Sequence, residues 1–473
     1  MNSEVRLLKI TISNLKNISN GIIEFACNKK ENVFESVDIL GIYGQNGSGK
    51  TTLIQAVSLL KTLLTGRPIP EYYADIIQIG HEEARVDYEI YIQNINIQYK
   101  VLYSVLLCKA VIKEDNLNVE NLIEEKKYKV FIKNETINVF NCKAKEATKM
   151  HPIIRCDADS NLVFTPKSKL DTFCNYDKES IIELMASKKI AQEKSQSFIF
   201  SKQTIKIFED KCKNNEYISI LKSLLFYGNF NLFVISTRDI GLINLNLAIP
   251  FSFKLTDGNI LKIGNINISL DRSSIIPKDA FQTVKASIDN INIVLSQLIP
   301  GLQVDLVESG NKILSDGSMG YTVELVSLRN EKKIPLSYES EGIKKIISIL
   351  QMLIVMFNSK GITVAIDELD AGVFEYLLGE ILKIIEESGK GQLIFTSHNL
   401  RPLEVIDKKF IYFTTTNPNN RFIKMKNIGS NNNLRDVYFH DIILGGQKEK
   451  IYDTTNNFDI SLAFKKAGDY SAK

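Results

Sequence analysis

The sequence predicts an α/β fold, and three observations lead to this prediction. An apolar run, Val37–Tyr43, is followed by a glycine-rich loop and then by the helix-period segment Leu53–Leu60. A second apolar run, Ile362–Ile366, ends in two carboxylates. Between them, Ala84–Ile92 alternates apolar and polar residues, as half-buried strands do. We therefore expect a strand–loop–helix core accompanied by an antiparallel layer.

The glycine-rich loop fits the pattern G-x-x-x-x-G-K-[ST] at every fixed position. It reads Gly44-Gln45-Asn46-Gly47-Ser48-Gly49-Lys50-Thr51, with Thr52 behind it. Glycines allow successive backbone N–H groups to point at phosphate oxygens, and the helix dipole favours the same negative charge. We expect Lys50 to reach the β- and γ-phosphates and the Thr51 hydroxyl to bind Mg²⁺. The loop therefore predicts binding of a nucleoside triphosphate.

The composition is that of an ordinary soluble globular protein. The chain has 473 residues, of which 44% are hydrophobic and 24% charged. A formal net charge of +3 is too small to argue for a nucleic-acid partner. The six cysteines form no C-x-x-C pair, and no apolar run approaches the length of a membrane span. We expect a cytoplasmic protein without a membrane segment.

The N-terminal segment predicts two strands, Leu7–Ile12 and Ile22–Phe25, around a polar turn. An ordinary hairpin would have the same pattern. The segment also resembles the start of the chromosome-maintenance, double-strand-break-repair and recombination-mediator ATPases, in which it passes the adenine. Asn14 and Lys16 match positions of that motif, and Leu15 replaces its usual Phe. The resemblance implies that Asn14 and Lys16 contact bound ATP.

Further strands are predicted at Ile95–Val101 and, as a pair, at 127–133 and 136–140. Together with Ala84–Ile92 they resemble the antiparallel β-subdomain of ABC-type ATPase heads.

The pattern changes after residue 140, where Ser180–Ala186 and Ile205–Asp210 show helical spacing. We interpret this part as an inserted helical subdomain. Its lysines between 167 and 213 allow a nucleic-acid or partner surface, or simply a solvated face. The predicted division is 1–140 (P-loop and β-subdomain), 141–229 (helical insertion) and 230–473 (second part of the head and tail).

The segment Asn231–Asp239 is predicted as a buried strand that ends in polar residues. In ABC-type heads a glutamine in the following loop senses the γ-phosphate. No glutamine follows here, so its replacement stays open. A helix is then predicted at Asp279–Leu298, and strands at Gln303–Val307 and Tyr321–Val326.

The segment Ser340-Glu341-Gly342 precedes an apolar helix, Ile346–Met356, and resembles the ABC signature. A serine hydroxyl at a helix N-terminus forms an anion site. The resemblance implies that this loop closes on the ATP of a second subunit, giving a head-to-head homodimer with two ATP molecules. A capped helix without a partner is the alternative.

Two further motifs complete the resemblance to ABC-type ATPases. The strand ending in Asp367 and Glu368 predicts an aspartate that holds Mg²⁺ and a glutamate that activates the attacking water. The resemblance implies a D-loop role for Asp370 and a γ-phosphate contact for His398. The predicted enzyme is an ATP hydrolase with Mg²⁺ as cofactor.

The chain also resembles the stand-alone prokaryotic ABC-type ATPases of phage abortive infection, akin to the ATPase half of the overcoming-lysogenisation-defect proteins. The segments that carry this resemblance are Glu339–Gly342, Asp367–Gly372, Phe395–Leu400, Leu444–Gln447 and Ala463–Gly468. It implies a sensor or regulatory scaffold for a separate effector, such as a nuclease or toxin. The residues after His398 contain no cluster of acidic side chains, so we expect no fused nuclease.

The sequence is also consistent with two other functions. One is a DNA repair or maintenance ATPase that clamps DNA, and the other is a nucleotide-dependent scaffold with negligible turnover. The sequence leaves open whether the assembly grows beyond a dimer.

Overall fold

The computed structural model describes residues 3–29, 32–111, 128–143, 149–257, 260–314, 316–330, 332–426 and 433–470. Its strands are β1 (Glu4–Leu15), β2 (Ile18–Glu24), β3 (Asp38–Tyr43), β4 (Glu83–Gln93), β5 (Gln98–Val111), β6 (Tyr128–Asn141), β7 (His151–Asp157), β8 (Leu232–Ile235), β9 (Ala248–Asp257), β10 (Ile260–Ser269), β11 (Ser274–Pro277), β12 (Gln303–Ile313), β13 (Met319–Arg329), β14 (Lys332–Pro335), β15 (Thr363–Ile366), β16 (Gln392–Thr396), β17 (Ile411–Thr414) and β18 (Phe422–Ile423). Its α-helices are α1 (Lys50–Leu64), α2 (Lys167–Cys174), α3 (Lys178–Glu193), α4 (Lys202–Lys211), α5 (Asn215–Phe230), α6 (Thr237–Asn244), α7 (Lys278–Leu298), α8 (Glu341–Asn358), α9 (Glu375–Ser388), α10 (Pro402–Val405), α11 (Leu434–Leu444) and α12 (Asn457–Tyr470). Short 3-10 helices lie at Ala26–Lys29, Glu71–Tyr73, Leu336–Tyr338 and Lys408–Phe410.

A largely parallel sheet in the order β18-β17-β3-β16-β15-β8 forms the centre of the fold, and only β18 pairs antiparallel. Its strands are nearly continuous apolar runs because both faces are covered. In β15, Ala365 belongs to one hydrophobic core, whereas Val364 and Ile366 belong to the other. Helix α1 packs on the first face, and α8 contacts β15 as part of the second core. The carboxyl ends of β15 and β16 therefore meet near the loop that follows β3.

A second sheet, β2-β1-β4-β5-β6-β7, is antiparallel throughout and forms the predicted β-subdomain. The prediction of two strands at 127–133 and 136–140 is wrong. Within the described residues, β6 is one strand, and Lys127 lies outside them.

Strand β6 continues through Asn134-Glu135 because the Glu135 carboxylate is buried and hydrogen-bonded. Asn134-Glu135 reads as a turn in the sequence, but Glu135 points into the core. There it accepts hydrogen bonds from the Tyr103 hydroxyl at 2.6 Å, the Phe198 N–H at 3.0 Å and the Ser197 hydroxyl. Burial raises the pKa of Glu135, and these hydrogen bonds lower it by less. Tertiary contacts thus keep a polar residue inside a strand.

The segment 141–229 is not helical throughout. It begins with β7, which pairs with β6, and the helices α2 to α5 follow. Helix α5 contacts both α1 and β8, so this segment packs directly on the central fold. The division into three domains remains a prediction.

The hairpin β9–β10 and the four-stranded group β11-β13-β12 with β14 complete the architecture. The sequence pattern did not predict β9 or β10. The helix predicted at Asp279–Leu298 is α7, and the strands predicted at 303–307 and 321–326 lie within β12 and β13. In the part of the chain that the structure describes, no helix is long and apolar enough to cross a membrane.

Candidate nucleotide site

The glycine-rich loop joins the end of β3 to the start of α1, as the sequence predicts. Gly44 has φ 148°, and a Cβ there would lie 1.7 Å from the Thr414 hydroxyl, so no larger residue fits. The Lys50 ammonium lies inside the loop and donates to the carbonyls of Gly44 at 2.8 Å and Gln45 at 3.0 Å. The loop wraps around its own lysine and presents the α1 N-terminus to the space above it.

Asp367, at the end of β15, lies beside this loop and is almost completely buried. The Thr51 hydroxyl lies 3.4 Å from its Oδ1, and the Thr396 hydroxyl donates to the same oxygen at 2.6 Å. The Thr237 hydroxyl donates to Oδ2. Three hydroxyls from three separate elements therefore orient one carboxylate.

Glu368 follows in a left-handed backbone conformation, with φ 47°. Such a conformation is unfavourable for a residue other than glycine by about 1 kcal/mol. The Glu368 N–H donates to the Thr396 hydroxyl at 2.7 Å, and the Lys345 ammonium donates to the Glu368 carbonyl. These bonds hold the backbone of Glu368 and so direct its side chain.

A cavity of about 800 Å³ lies in front of these groups. Its lining contains the predicted residues Lys16, Asn46, Gly47, Ser48, Gly49, Lys50, Thr51, Thr52, Glu368 and His398. Asn17, Gln55, Thr237 and Thr396 complete the lining. The volume lies in the usual range for small-molecule and cofactor pockets. The structure thus brings most of the predicted site residues to a single pocket.

Positive charge in the cavity comes from Lys50 and Lys16. Desolvation by burial lowers the pKa of both lysines, and the Asp367 carboxylate raises both by less. A bound polyanion would add to the effect of Asp367 and favour the charged form of each lysine.

His398 and Asp370 are linked at the edge of the cavity. The Asp370 carboxylate accepts hydrogen bonds from the His398 N–H at 2.9 Å and the Asn399 N–H at 2.8 Å. The His398 side chain is exposed and lines the cavity. In this chain Asp370 therefore shapes the loop that carries the histidine.

Lys345 of α8 contacts the backbone that follows β15. Burial lowers its pKa to about 8, while Asp370, Glu368 and Asp367 act in the opposite direction. Its position links the helix that follows Ser340 to the Glu368 backbone.

Ser340, Glu341 and Gly342 are not among the residues that line the cavity. Ser340 caps α8, accepting a 3.4 Å hydrogen bond from the Ile343 N–H. Gly342 is in close contact with the Gly372 carbonyl, which would lie 1.8 Å from a Cβ at position 342. The exposed Ser340 therefore sits on a loop whose shape depends on the segment after Asp370.

The N-terminal hairpin approaches the glycine-rich loop through a residue that the sequence did not single out. The Asn17 amide donates to the Gly47 carbonyl. Lys16 lines the cavity, whereas Asn14 is not among the lining residues, and its carbonyl accepts from the Gln78 N–H at 2.9 Å. The side chain of Gln45 is also outside the lining, and its Oε1 accepts from the Asp453 N–H at 3.0 Å.

Thr237 occupies the place where the sequence lacked a glutamine. The strand predicted around 231–239 ends at Ile235, and Thr237 starts α6. Its hydroxyl donates to Asp367, and Thr237 lines the cavity. Thr396 was also missed; the only signal for it was its position one residue before Ser397-His398 at a strand end.

The oxygen groups present fit a magnesium ion. Asp367 offers one carboxylate and Thr51 one hydroxyl, 3.4 Å apart, and Mg²⁺ in phosphate sites typically takes one or two protein oxygens, with phosphates and water as its other ligands. Among the described residues, no group of three or more His, Cys, Asp or Glu side chains could hold a metal alone. A nucleotide would therefore have to supply part of the coordination.

Comparison with known proteins agrees with the nucleotide-binding architecture. Residues 9–225 match the family model described as an AAA domain, and this match covers less than half of the chain. No curated protein matches the chain.

Three solved structures are similar to it over most of their length. One is an Smc head bound to the C-terminal winged-helix domain of ScpA, with 13% identity, TM-score 0.41 and coverage of 89% of this chain and 97% of that one. A second is an Smc head with an extended coiled coil, bound to the C-terminal domain of ScpA, derived from Pyrococcus furiosus, with 11% identity, TM-score 0.37 and coverage of 89% and 96%. The third is the SMC head domain from Thermotoga maritima, with 14% identity, TM-score 0.37 and coverage of 89% and 100%.

A glycine-rich loop leads from β3 into α1, Asp367 and Glu368 follow β15, and an antiparallel sheet flanks the core. The fold is thus of the predicted α/β class, with a strand–glycine loop–helix unit in a mostly parallel sheet and an antiparallel sheet beside it.

Proposed function

We propose that this protein hydrolyses ATP in the cavity above the glycine-rich loop. The observation that carries the proposal is convergence: Lys50, Thr51 and Glu368 line one cavity, and Thr51 reaches Asp367 across 316 positions of sequence. Had these groups faced different cavities, the proposed chemistry would have no site.

Each residue has a role that follows from its position. Lys50 and the N–H groups at the α1 N-terminus bind the phosphates. Thr51 and Asp367 would hold Mg²⁺, which when bound neutralises charge on the β- and γ-phosphates. Glu368 orients and deprotonates the attacking water, and His398 contacts the γ-phosphate from the edge of the cavity. These roles for His398 and Glu368 extend the resemblance to ABC-type ATPases.

Substitution of the base tests this arrangement. We expect Glu368→Gln to keep ATP affinity, to abolish phosphate release and to trap an ATP-bound dimer. Glu308→Gln changes an exposed carboxylate of β12 and serves as the matched control, with wild-type turnover. Normal phosphate release by Glu368→Gln would show that Glu368 is not the base.

We further propose a head-to-head homodimer in which Ser340 of one copy closes on the ATP of the other. The exposure of Ser340 and its absence from the lining of its own chain's cavity support this arrangement. Light scattering of Glu368→Gln with and without Mg·ATP measures the association. We expect a dimer only with the nucleotide, and Ser340→Ala should weaken that dimer without changing ATP binding by the monomer.

The proposed biological role is that of a sensor or regulatory scaffold for a separate effector in anti-phage defence. It rests on the resemblance to the abortive-infection ATPases. Co-expression with the product of the neighbouring gene, followed by a pull-down, should recover a complex. Protection against phage should disappear with Lys50→Ala, and full protection by that variant would contradict an ATP-gated role.

A DNA-clamping ATPase remains the alternative. In the described structure, lysines between 167 and 213 make contacts within the chain, some buried and some at the surface. Lys188 is buried and donates to the Ser160 and Leu162 carbonyls, both at 2.7 Å, and Lys213 pairs with Asp171 at 3.1 Å. Measuring the binding of duplex DNA across a salt series tests this alternative. The logarithm of the binding constant should fall with the logarithm of the salt concentration, with a slope of about −0.9 for each phosphate contact.

A further inference from the structure

A second groove lies on the outer face of the antiparallel sheet, and neither the glycine-rich loop nor Glu368 belongs to its lining. It encloses about 360 Å³ and is lined by side chains of β4, β5, β6 and β7, with Arg85 and Arg155 among them. This volume suits a small ligand, since ligand pockets usually begin at about 300 Å³. Among the described residues, its lining contains no carboxylate.

The strand register places polar side chains in one row across this face. Ser104 on β5 lies between Asp87 on β4 and Thr136 on β6, and Thr136 pairs with Arg155 on β7. Strands are spaced by roughly 4.8 Å, so the row from β4 to β7 spans about 14 Å between Cα atoms. Arg85 lies in the neighbouring row of the same face, opposite Leu106 and Asn134, so Arg85 and Arg155 stand at diagonally opposite corners of the groove.

Ser104 provides an independent sign of a missing partner. The residue is 7% exposed, and within the described part of the chain its hydroxyl oxygen has no hydrogen-bond partner. Buried polar groups are nearly always paired, because an unpaired one is unfavourable by about 1–3 kcal/mol. Tyr103, which precedes Ser104 on β5, belongs to the core and is absent from the groove lining, whereas Ser104 lines the groove, so the groove is the direction from which a partner would approach.

The other polar groups of the groove also present donors. Thr136 donates to Asn134 Oδ1 at 2.9 Å, which leaves the Asn134 NH₂ group as a donor. The Arg85 Nε donates to both oxygens of Asp87, at 2.9 and 3.1 Å, which leaves the terminal nitrogens of Arg85 for a ligand. Two guanidinium groups with neutral donors between them suit an anion that has several acceptor oxygens.

We propose that this groove binds a small phosphate ester, at a site separate from the nucleotide cavity. Arg85 and Arg155 hold the phosphate oxygens, and Ser104 and Asn134 hydrogen-bond to the remaining polar atoms. Leu102 and Leu106 also line the groove and offer apolar surface to the carbon skeleton of the ester. The pairing of Arg85 with Asp87 keeps the positive charge of the groove low, which favours one phosphate over a polyanionic chain.

Calorimetric titration of the full chain tests the site with three probes: inorganic phosphate, ribose 5-phosphate and a thymidine hexanucleotide that lacks a terminal phosphate. Saturating Mg·AMP-PNP occupies the other cavity, and a parallel series with Lys50→Ala keeps the result independent of the proposed ATPase. We expect ribose 5-phosphate to bind with a stoichiometry of one in both series, and inorganic phosphate to bind more weakly than the ester.

Three variants distinguish binding in the groove from nonspecific binding to surface charge. Arg155→Gln should weaken ribose 5-phosphate binding by about tenfold, as loss of one charge-assisted contact predicts. Ser104→Ala should also weaken binding, yet raise the melting temperature of the empty protein because it removes the unpaired hydroxyl. Arg272→Gln, at an exposed arginine outside the groove, should bind as the wild type does.

The proposal fails if neither phosphate probe binds, or if Arg155→Gln binds ribose 5-phosphate as tightly as the wild type. Tighter binding of the hexamer than of ribose 5-phosphate would also overturn it and would identify a nucleic-acid surface instead.

Discussion

Removing the hydroxyl of Thr396 should disable hydrolysis while leaving ATP binding intact. This hydroxyl donates to Asp367 Oδ1 at 2.6 Å and accepts from the Glu368 N–H at 2.7 Å, so one group fixes both carboxylate-bearing residues. Thr396→Val keeps the volume and the β-branched shape that suit a strand, and it removes both hydrogen bonds.

The size of the effect follows from these contacts. A hydrogen bond to a charged group contributes about 1.5–3 kcal/mol, and the side chain is 1% exposed, so water does not replace it. We expect a loss of unfolding free energy of about 3 kcal/mol. Glu368, at φ 47°, then loses one of its backbone restraints, and a displacement of about 1 Å lowers turnover by roughly 10²-fold.

Two assays measure the outcome: steady-state phosphate release for kcat, and equilibrium binding of a fluorescent ATP analogue. We expect kcat to fall by roughly 10²-fold, with a Kd within about threefold of the wild type. Thr396→Ser retains the hydroxyl and should restore most of the turnover.

Thr363→Val is the control for stability alone. Thr363 lies at the other end of β15, is fully buried, and bonds Tyr227 at 2.8 Å and Gln392 at 3.2 Å. It should lose stability but keep kcat. If Thr396→Val turns over within threefold of the wild type, Thr396 does not position Glu368.

Two other predictions follow from the same region. Burial lowers the pKa of Lys345 to about 8, so between pH 8 and 10.5 the unfolded chain binds more protons and the unfolding free energy rises with pH. Lys345→Met removes this pH dependence. Urea titrations should therefore show that the unfolding free energy of the variant falls relative to that of the wild type by about 3 kcal/mol between pH 8 and 10.5. A difference between the two proteins that does not change with pH would contradict this prediction. Gly342→Ala places a Cβ 1.8 Å from the Gly372 carbonyl and should lower the melting temperature and weaken ATP-dependent dimerisation. Gly241→Ala, in α6 with nothing within 4 Å, is the control and should be neutral or stabilising; equal melting temperatures for the two variants would refute the contact.

The local parts of the nucleotide site could be predicted from the sequence because each is a short segment with its own physical signature. The loop from Gly44 to Thr51 can be recognised from the strand before it and the helix after it. The pair Asp367-Glu368 can be recognised from its position at the end of an apolar run. Hydrophobic periodicity over a few residues carries both signals.

Contacts between distant segments had no such signature. Thr237 and Thr396 are ordinary threonines in the sequence, and they become part of the site only because β8, β15 and β16 lie side by side in the sheet. The same holds for Asn17, which reaches Gly47 across the fold, and for Glu135, whose buried partners turn an apparent loop into strand β6.

The sequence by itself thus determined that the chain has an α/β fold with a glycine-rich loop between a strand and a helix and two carboxylates at a strand end. Only the tertiary structure decided which side chains hold those carboxylates, that Asn14 lies outside the cavity lining, and that a second polar groove exists on the β-sheet. The physical reason is that strand and helix preferences act over a few neighbouring residues, whereas a binding site depends on the order and register in which distant strands pair.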